Sequence, residues 1–239
     1  MKALLTTCTL ARSDKEPSQD ACDAQMHRES VIAALADGVG RAEMGSEAAH
    51  KTVESFINYF KSRPPSWSNR KALEEFAKLI NRSLHQEGMA RCGHPEMLST
   101  ACAVAIEGDR LHGLNVGDSR VYVLRGDKLT QLSVDHAEPQ KDFEHVLRRC
   151  MGMEPDVAPH FFETPVAAGD VVLLCSDGIT RVVPDEELRQ LLAQHAAART
   201  LVGHARERAT EETLDDMSAV VVQVQAINPA AVTAQARLD

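Results

Sequence analysis

Aspartates in this chain recur at the ends of apolar runs. Val31 to Gly40 reads VIAALADGVG, six apolar residues leading straight into Asp37 and Gly38. A near-continuous apolar run closed by turn residues predicts a strand buried on both faces, with the carboxylate at its end. The same grammar returns in Val171 to Gly178, VVLLCSDG, and in reverse where Asp215 and Asp216 lead into Met217 to Val222. A fold that gathers these strand ends gathers negative charge, which either shifts pKa values strongly or is held by metal ions. Hard divalent cations with oxygen ligands suit such a set; metals that prefer thiolate or imidazole do not.

Composition agrees with that chemistry. The 239 residues are 44% hydrophobic and 26% charged, the profile of an ordinary globular chain, with a formal net charge of -9. Phosphate backbones want a basic face, so nucleic acid is excluded as the main partner. An acidic protein that handles an anionic substrate needs cations to offset repulsion, although the same charge also serves solubility. Cys8, Cys22, Cys92, Cys102, Cys150 and Cys175 show no CxxC spacing and predict no disulfide framework. Cys92 with His85 and His94 has poor zinc spacing and lacks a fourth ligand. The start, MKALLTTCTLAR, is a poor signal peptide, and no apolar run nears the roughly 20 residues of a membrane span. The expected location is therefore cytoplasmic, with no membrane partner.

The elements that must position the acids follow from periodicity. Strands are predicted at Lys2–Leu10, from Ala21, through Val31, at Thr100–Ile106, Leu111–Val116, Val121–Leu124, Leu129–Leu132, Phe161–Thr164, Val171–Cys175 and Met217–Val224. Gly108-Asp109 and Gly126-Asp127 mark hairpin turns, which makes the run from Thr100 to Leu132 a meander. Helices are predicted over Gly45–Phe60, from a cap at Ser68 or Asn69 until the pattern fades near Gly88, over Asp142–Cys150, from Pro184 to His195, and over Ala197–Glu211. The order suits one α+β domain over residues 1–226, antiparallel sheets with helix pairs outside. Residues 227–239 are expected to form a mobile tail.

Five segments together resemble the metal-dependent protein phosphatases, the PPM family, also called type 2C. They are Ser18-Gln19-Asp20-Ala21, Ala36-Asp37-Gly38-Val39-Gly40, Val116-Gly117-Asp118-Ser119-Arg120, Cys175-Ser176-Asp177-Gly178 and Asp215-Asp216-Met217-Ser218-Ala219-Val220. They come in the family's order and cover nearly the whole chain. The resemblance implies a four-layer αββα sandwich, two central antiparallel sheets flanked by helix pairs. It also implies Mn²⁺ or Mg²⁺, two or three ions per chain, and hydrolysis of phosphoserine and phosphothreonine on proteins by a metal-activated water. Phosphorylated proteins, a serine/threonine kinase and its targets would be the partners. Two divalent ions about 3.5–4 Å apart can share a water and lower its pKa toward neutrality.

Residue by residue, Asp37 matches the bridging carboxylate, and the carbonyl of Gly38 would face a metal. Asp177 and Asp216 match further ligands of the first metal, with Asp216 preferred over Asp215 because it directly precedes the hydrophobic residue. Asp118 matches a residue that, with Asp177, holds a third metal in many bacterial members. Asp20 would bind metal-held water. Asp37, Asp177 and Asp216 are thus the catalytic set. Gln19 stands where many members have Glu, a possible second-metal contact that keeps the oxygen and loses the charge. Lys15 occupies the place of a phosphate-binding Arg, with Arg12 nearby; Lys is a point charge where Arg offers a fork. Val39 cannot donate a proton where some members have His, and His136 is read as a surface or structural residue. The short segment from His136 to His160 implies a trimmed flap and an open cleft. The departures at Lys15, Gln19 and Val39 keep a pseudophosphatase or a phosphoprotein-binding module as the alternative.

Overall fold

The computed structural model describes residues 1–138 and 146–227. Its strands are β1 (Lys2–Leu10), β2 (Asp20–His27), β3 (Ser30–Val39), β4 (Leu98–Ser99), β5 (Ala101–Glu107), β6 (Arg110–Val116), β7 (Arg120–Arg125), β8 (Lys128–Gln131), β9 (His160–Pro165), β10 (Val171–Cys175) and β11 (Met217–Ala226). Its helices are α1 (Ala42–Lys61), α2 (Asn69–Cys92), α3 (Asp177–Thr180), α4 (Asp185–Ala193) and α5 (Ala198–Arg208). One sheet runs β1-β11-β10-β7-β8, the other β2-β3-β5-β6-β9, with β4 paired to β3; every pairing is antiparallel.

The alternation of side chains along each strand builds the layers. From β3, Val31, Ala33 and Leu35 point into a core shared with Val172 and Leu174 of β10 and Val220 and Val222 of β11, so the two sheets pack face to face. The intervening Ile32, Ala34 and Ala36 pack under α1 and α2, with Phe56, Phe60, Leu73 and Ile80. On the far side, Leu173, Ala219 and Val221 pack under α4 and α5, with Leu188, Leu192 and Leu201. Strands that bury both faces must be apolar throughout, which is why these runs carry no polar alternation. Each large side chain so buried contributes about 1.5–3 kcal/mol. The αββα sandwich is therefore present, and no helix among the described residues is long and apolar enough to cross a membrane.

Four expectations change. The run from Thr100 to Leu132 is not one meander: β5–β6 belongs to one sheet and β7–β8 to the other. The chain crosses between sheets at Gly117, whose φ of +98° an L side chain rarely adopts. Helix α2 does not fade at Gly88. It continues to Cys92, where Gly93 takes φ +77° as a left-handed cap. Gly88 is a packing residue instead, since a Cβ there would lie 2.8 Å from the Glu96 backbone nitrogen. Of the helix expected over Asp142–Cys150, the described part, 146–150, holds bends and a bridge, not helix; the remainder lies outside the described residues. Finally, α3 begins at Asp177, where only a turn was expected. The tail from 228 also lies outside the described residues.

Candidate active site

The acids meet where the ends of β2, β3, β10 and β11 come together at one edge of the sandwich. Asp20 and Asp37 are direct cross-strand partners in the β2–β3 ladder. Like charges placed opposite one another destabilise a sheet, so this register needs compensation. Burial raises the Asp20 carboxyl to about 7, with the Ser176 hydroxyl pulling the other way and Asp177 and Asp216 adding to the rise. Burial also lifts Asp37 well above the carboxylate range, helped by the charges of Asp20, Asp177, Asp118 and Asp215. Asp118, in the crossing between β6 and β7, is raised to about 7 by burial and by Asp177. Asp177 is raised by burial, against the opposing pull of Arg181. These mutual influences place Asp20, Asp37, Asp118, Asp177, Asp215 and Asp216 within one electrostatic neighbourhood.

Backbone and hydroxyl groups fix each acid. The Asp37 N–H donates to Thr100 Oγ1 at 2.8 Å, and the Asp37 carbonyl accepts from the Thr100 N–H at 2.7 Å. Thr100 Oγ1 also lies 2.8 Å from Ser119 Oγ, which ties the end of β3 to the loop that carries Asp118. The Ser176 hydroxyl donates to Asp20 Oδ2 at 2.7 Å and accepts from the Ser218 N–H at 2.9 Å, a stitch from one sheet to the other. Asp216 Oδ1 accepts from the Arg12 N–H at 2.7 Å and Oδ2 from the Gln19 N–H at 2.6 Å. Two glycines allow the close approach. A Cβ on Gly38 would lie 2.2 Å from the Gly45 carbonyl of α1, and one on Gly178 would lie 2.0 Å from the Asp216 carbonyl oxygen.

The donor set fits a hard divalent cation. It is all oxygen, crowded, and includes Asp20 Oδ1, which is buried with no hydrogen-bond partner. An unsatisfied buried acceptor costs roughly 1–3 kcal/mol, more when charged, and a cation would remove that cost. Among the described residues no three ligand-type side chains already converge as a finished chelate. The cause is local. Backbone N–H groups cap Asp216, Arg181 ion-pairs with Asp177, and the Gln19 side-chain amide donates to the Gly38 carbonyl at 3.1 Å. Gln19 therefore touches the carbonyl that was expected to face a metal.

A family model described as Protein phosphatase 2C matches residues 9–224. The chain belongs to the protein phosphatase 2C family, whose members are phosphoprotein phosphatases. Among curated relatives, "Serine/threonine phosphatase stp" of Listeria innocua is 26% identical over 182 residues, spanning 67% of this chain and 71% of that one. Among solved structures, PppA of Pseudomonas aeruginosa, described as a key regulatory component of T6SS, is 26% identical with a TM-score of 0.77, covering 93% of this chain and 98% of that one. The catalytic domain of the serine/threonine protein phosphatase PstP, solved in complex with two manganese ions, is 23% identical with a TM-score of 0.80, covering 93% and 98%. That last likeness speaks to the fold.

The remaining residues read from sequence are placed as follows. Arg12 and Lys15 lie exposed in the loop between β1 and β2; the Arg12 guanidinium pairs with Glu16 at 3.5 Å, and the backbone of this loop, through Arg12 and Gln19, grips Asp216. Val39 closes β3, half-buried. His136 is structural: its Nδ1 accepts from the Gly117 N–H at 3.2 Å, and its carbonyl accepts from the Arg148 N–H at 2.8 Å, pairing the two described arms of the short segment. His85 bonds the Gly152 carbonyl at 2.9 Å and His94 pairs with Glu96, so neither forms a zinc set with Cys92. Arg181, Thr100, Ser176 and Ser218 were missed. Arg181 had a local signal, standing four residues after Asp177, but reading it required expecting α3.

Proposed function

We propose that this protein hydrolyses phosphoserine and phosphothreonine on protein substrates at the acidic edge of the sandwich, with Mn²⁺ or Mg²⁺ held there. Asp37, Asp177, Asp216 and the Gly38 carbonyl would hold the ions directly, with Asp20 and Asp118 completing the outer positions. When bound, such ions supply a water of lowered pKa and offset the charge of the phosphoryl group. The observation that carries the reading is the crowding of Asp20, Asp37, Asp118 and Asp177 with carboxyls raised by burial and mutual repulsion in a family of phosphatases. A cation among them lets all four ionise together at neutral pH.

The chain's own residues set the geometry. The Thr100 contacts hold Asp37 at the strand end, Ser176 orients Asp20, and the Arg12 and Gln19 amides orient Asp216. Lys15 or Arg12 would bind the substrate phosphate from the exposed loop. Val39 carries no proton, so leaving-group protonation falls to water or another group. A serine/threonine kinase acting on the same proteins is the natural counterpart. The short segment between His136 and His160 would leave the cleft open, so that a phosphopeptide and a small aryl phosphate turn over at similar rates.

The deciding experiment is manganese-dependent release of phosphate from a phosphothreonine peptide, abolished in Asp177→Asn. A second reading, a binding module without hydrolysis, is favoured by one feature: the caps on Asp216, Asp177 and the Gly38 carbonyl already satisfy part of the site without metal. Metal-loaded protein that binds the phosphopeptide and releases nothing would establish that alternative instead.

A further inference from the structure

Asp177 opens α3, and Arg181 sits one helical turn later. The Arg181 N–H donates to the Asp177 carbonyl at 2.9 Å, which fixes the turn and brings the two side chains onto one face. The guanidinium pairs with Asp177 through one nitrogen and with Asp215 Oδ2 through another at 3.1 Å. Its side chain is 39% exposed, whereas that of Asp177 is 10% exposed. The planar fork thus reaches in from the rim and spans two carboxylates. Among the described residues, no Lys or Arg forms an ion pair with Asp20, Asp37, Asp118 or Asp216. Among the described residues, Arg181 is the cation that reaches this cluster. Its charge also opposes the rise of both Asp177 and Asp118.

We infer that Arg181 is a resident competitor for divalent ions at Asp177, an affinity-setting residue that yields the carboxylate on metal binding and keeps its hold on Asp215. The inference rests on the reading of Asp177 as a metal ligand. A divalent ion and a guanidinium cannot both take the same oxygen, and each repels the other at short range. Asp215 is half-buried and outside the expected ligand set, so it offers a place where Arg181 can stay without leaving the rim. The result is a site that is partly neutralised when stripped of metal and that demands more free metal to load.

The test is calorimetric titration of EDTA-stripped protein with MnCl₂, with the EPR signal of free Mn²⁺ as a second readout. Wild type, R181Q and R181K are compared, with D177N as the control that deletes the contested ligand. R181Q should bind Mn²⁺ about tenfold more tightly than wild type, and R181K, which keeps the charge, should stay near wild type. Metal-stripped R181Q should melt below wild type and gain more on adding Mn²⁺. R181M replaces R181Q in the comparison if the glutamine variant does not fold. Equal affinities in wild type and R181Q, or R181K behaving like R181Q, overturns this inference and leaves the metal reading standing. Absence of Mn²⁺ binding in every variant overturns the metal reading and this inference together.

Discussion

At the β2–β3 end of the cleft, Asp20 and Asp37 face each other across an antiparallel ladder, and neither has an ion-pair partner among the described residues. At the β10–β11 end, Asp177 has Arg181, and Asp216 has two backbone N–H donors at 2.7 and 2.6 Å. The first pair meets across the sheet register, with the Ser176 hydroxyl on Asp20 Oδ2 offsetting part of the repulsion. The second pair is compensated by groups that are close in sequence to Asp177 or that arrive on a loop. The difference shows where an incoming cation gains most. At Asp20 and Asp37 it relieves an existing cost, whereas at Asp177 and Asp216 it must displace something.

The largest effect expected from this contrast is on catalysis. Asp37→Asn should lower kcat/KM for a phosphothreonine peptide by about a thousandfold, near 4 kcal/mol, while the metal-free protein becomes more stable to urea. Lost activity without that gain in stability would show that Asp37 carries no repulsive load.

Next comes pH. Asp20 is raised to about 7 from an ordinary 3.8, so between those values the folded protein holds a proton that the unfolded chain has released. Stability of the metal-free protein should therefore fall as pH rises from about 4 to about 7, by on the order of 4 kcal/mol from Asp20 alone. Urea melts across this range should show the slope; saturating Mn²⁺ should flatten it, and Asp20→Asn should reduce it while Asp118 keeps its own share. An unchanged slope in Asp20→Asn would locate the repulsion elsewhere.

The two close approaches by glycine permit a third comparison. Gly38→Ala pushes on α1 and Gly178→Ala pushes on the Asp216 carbonyl, and each should lose about 2–3 kcal/mol of stability in thermal or urea unfolding. Gly178→Ala should in addition weaken Mn²⁺ binding, because the displaced backbone carries Asp216.

The smallest effect concerns Gln19. Gln19→Glu removes the amide donor from the Gly38 carbonyl and adds a negative charge at the β2–β3 end, where no basic side chain pairs with Asp20 or Asp37 among the described residues. Mn²⁺ affinity measured by titration should rise about tenfold and metal-free stability should drop by about 1 kcal/mol. A drop in both would mean that the amide orients the carbonyl for metal.

Much of this was legible in the sequence. The buried strands announced themselves as apolar runs bounded by aspartates, Asp-Gly closing the runs of β3 and β10 and Asp215-Asp216 opening that of β11, because both faces of these strands are covered and tolerate no polar alternation. Of the two caps offered for α2, Ser68 is the one used, its hydroxyl oxygen accepting from the Lys71 N–H at 3.3 Å. The helix expected over Asp142–Cys150 failed in its described part, where backbone bonds run from Arg148 to His136 and from Glu138 to Val146. Those bonds join segments whose pairing a helical period does not encode. The meander failed for a similar reason: Gly117 lets the chain leave one sheet for the other, and nothing in the period-2 pattern records which sheet a strand joins.

Sequence alone determined that acids stand at the ends of buried apolar strands and that helices alternate with antiparallel strands, because both follow from local hydrophobic periodicity and turn chemistry. Tertiary structure decided which acids face each other, which are already capped, and which cation reaches them. The pairs Asp20–Asp37, Asp20–Ser176 and Gln19–Asp216 are separated along the chain and joined only by register and by the packing of two sheets. Electrostatic cost depends on distance and burial in space, so whether an acid is stored under strain or at rest is settled only when the sheets close.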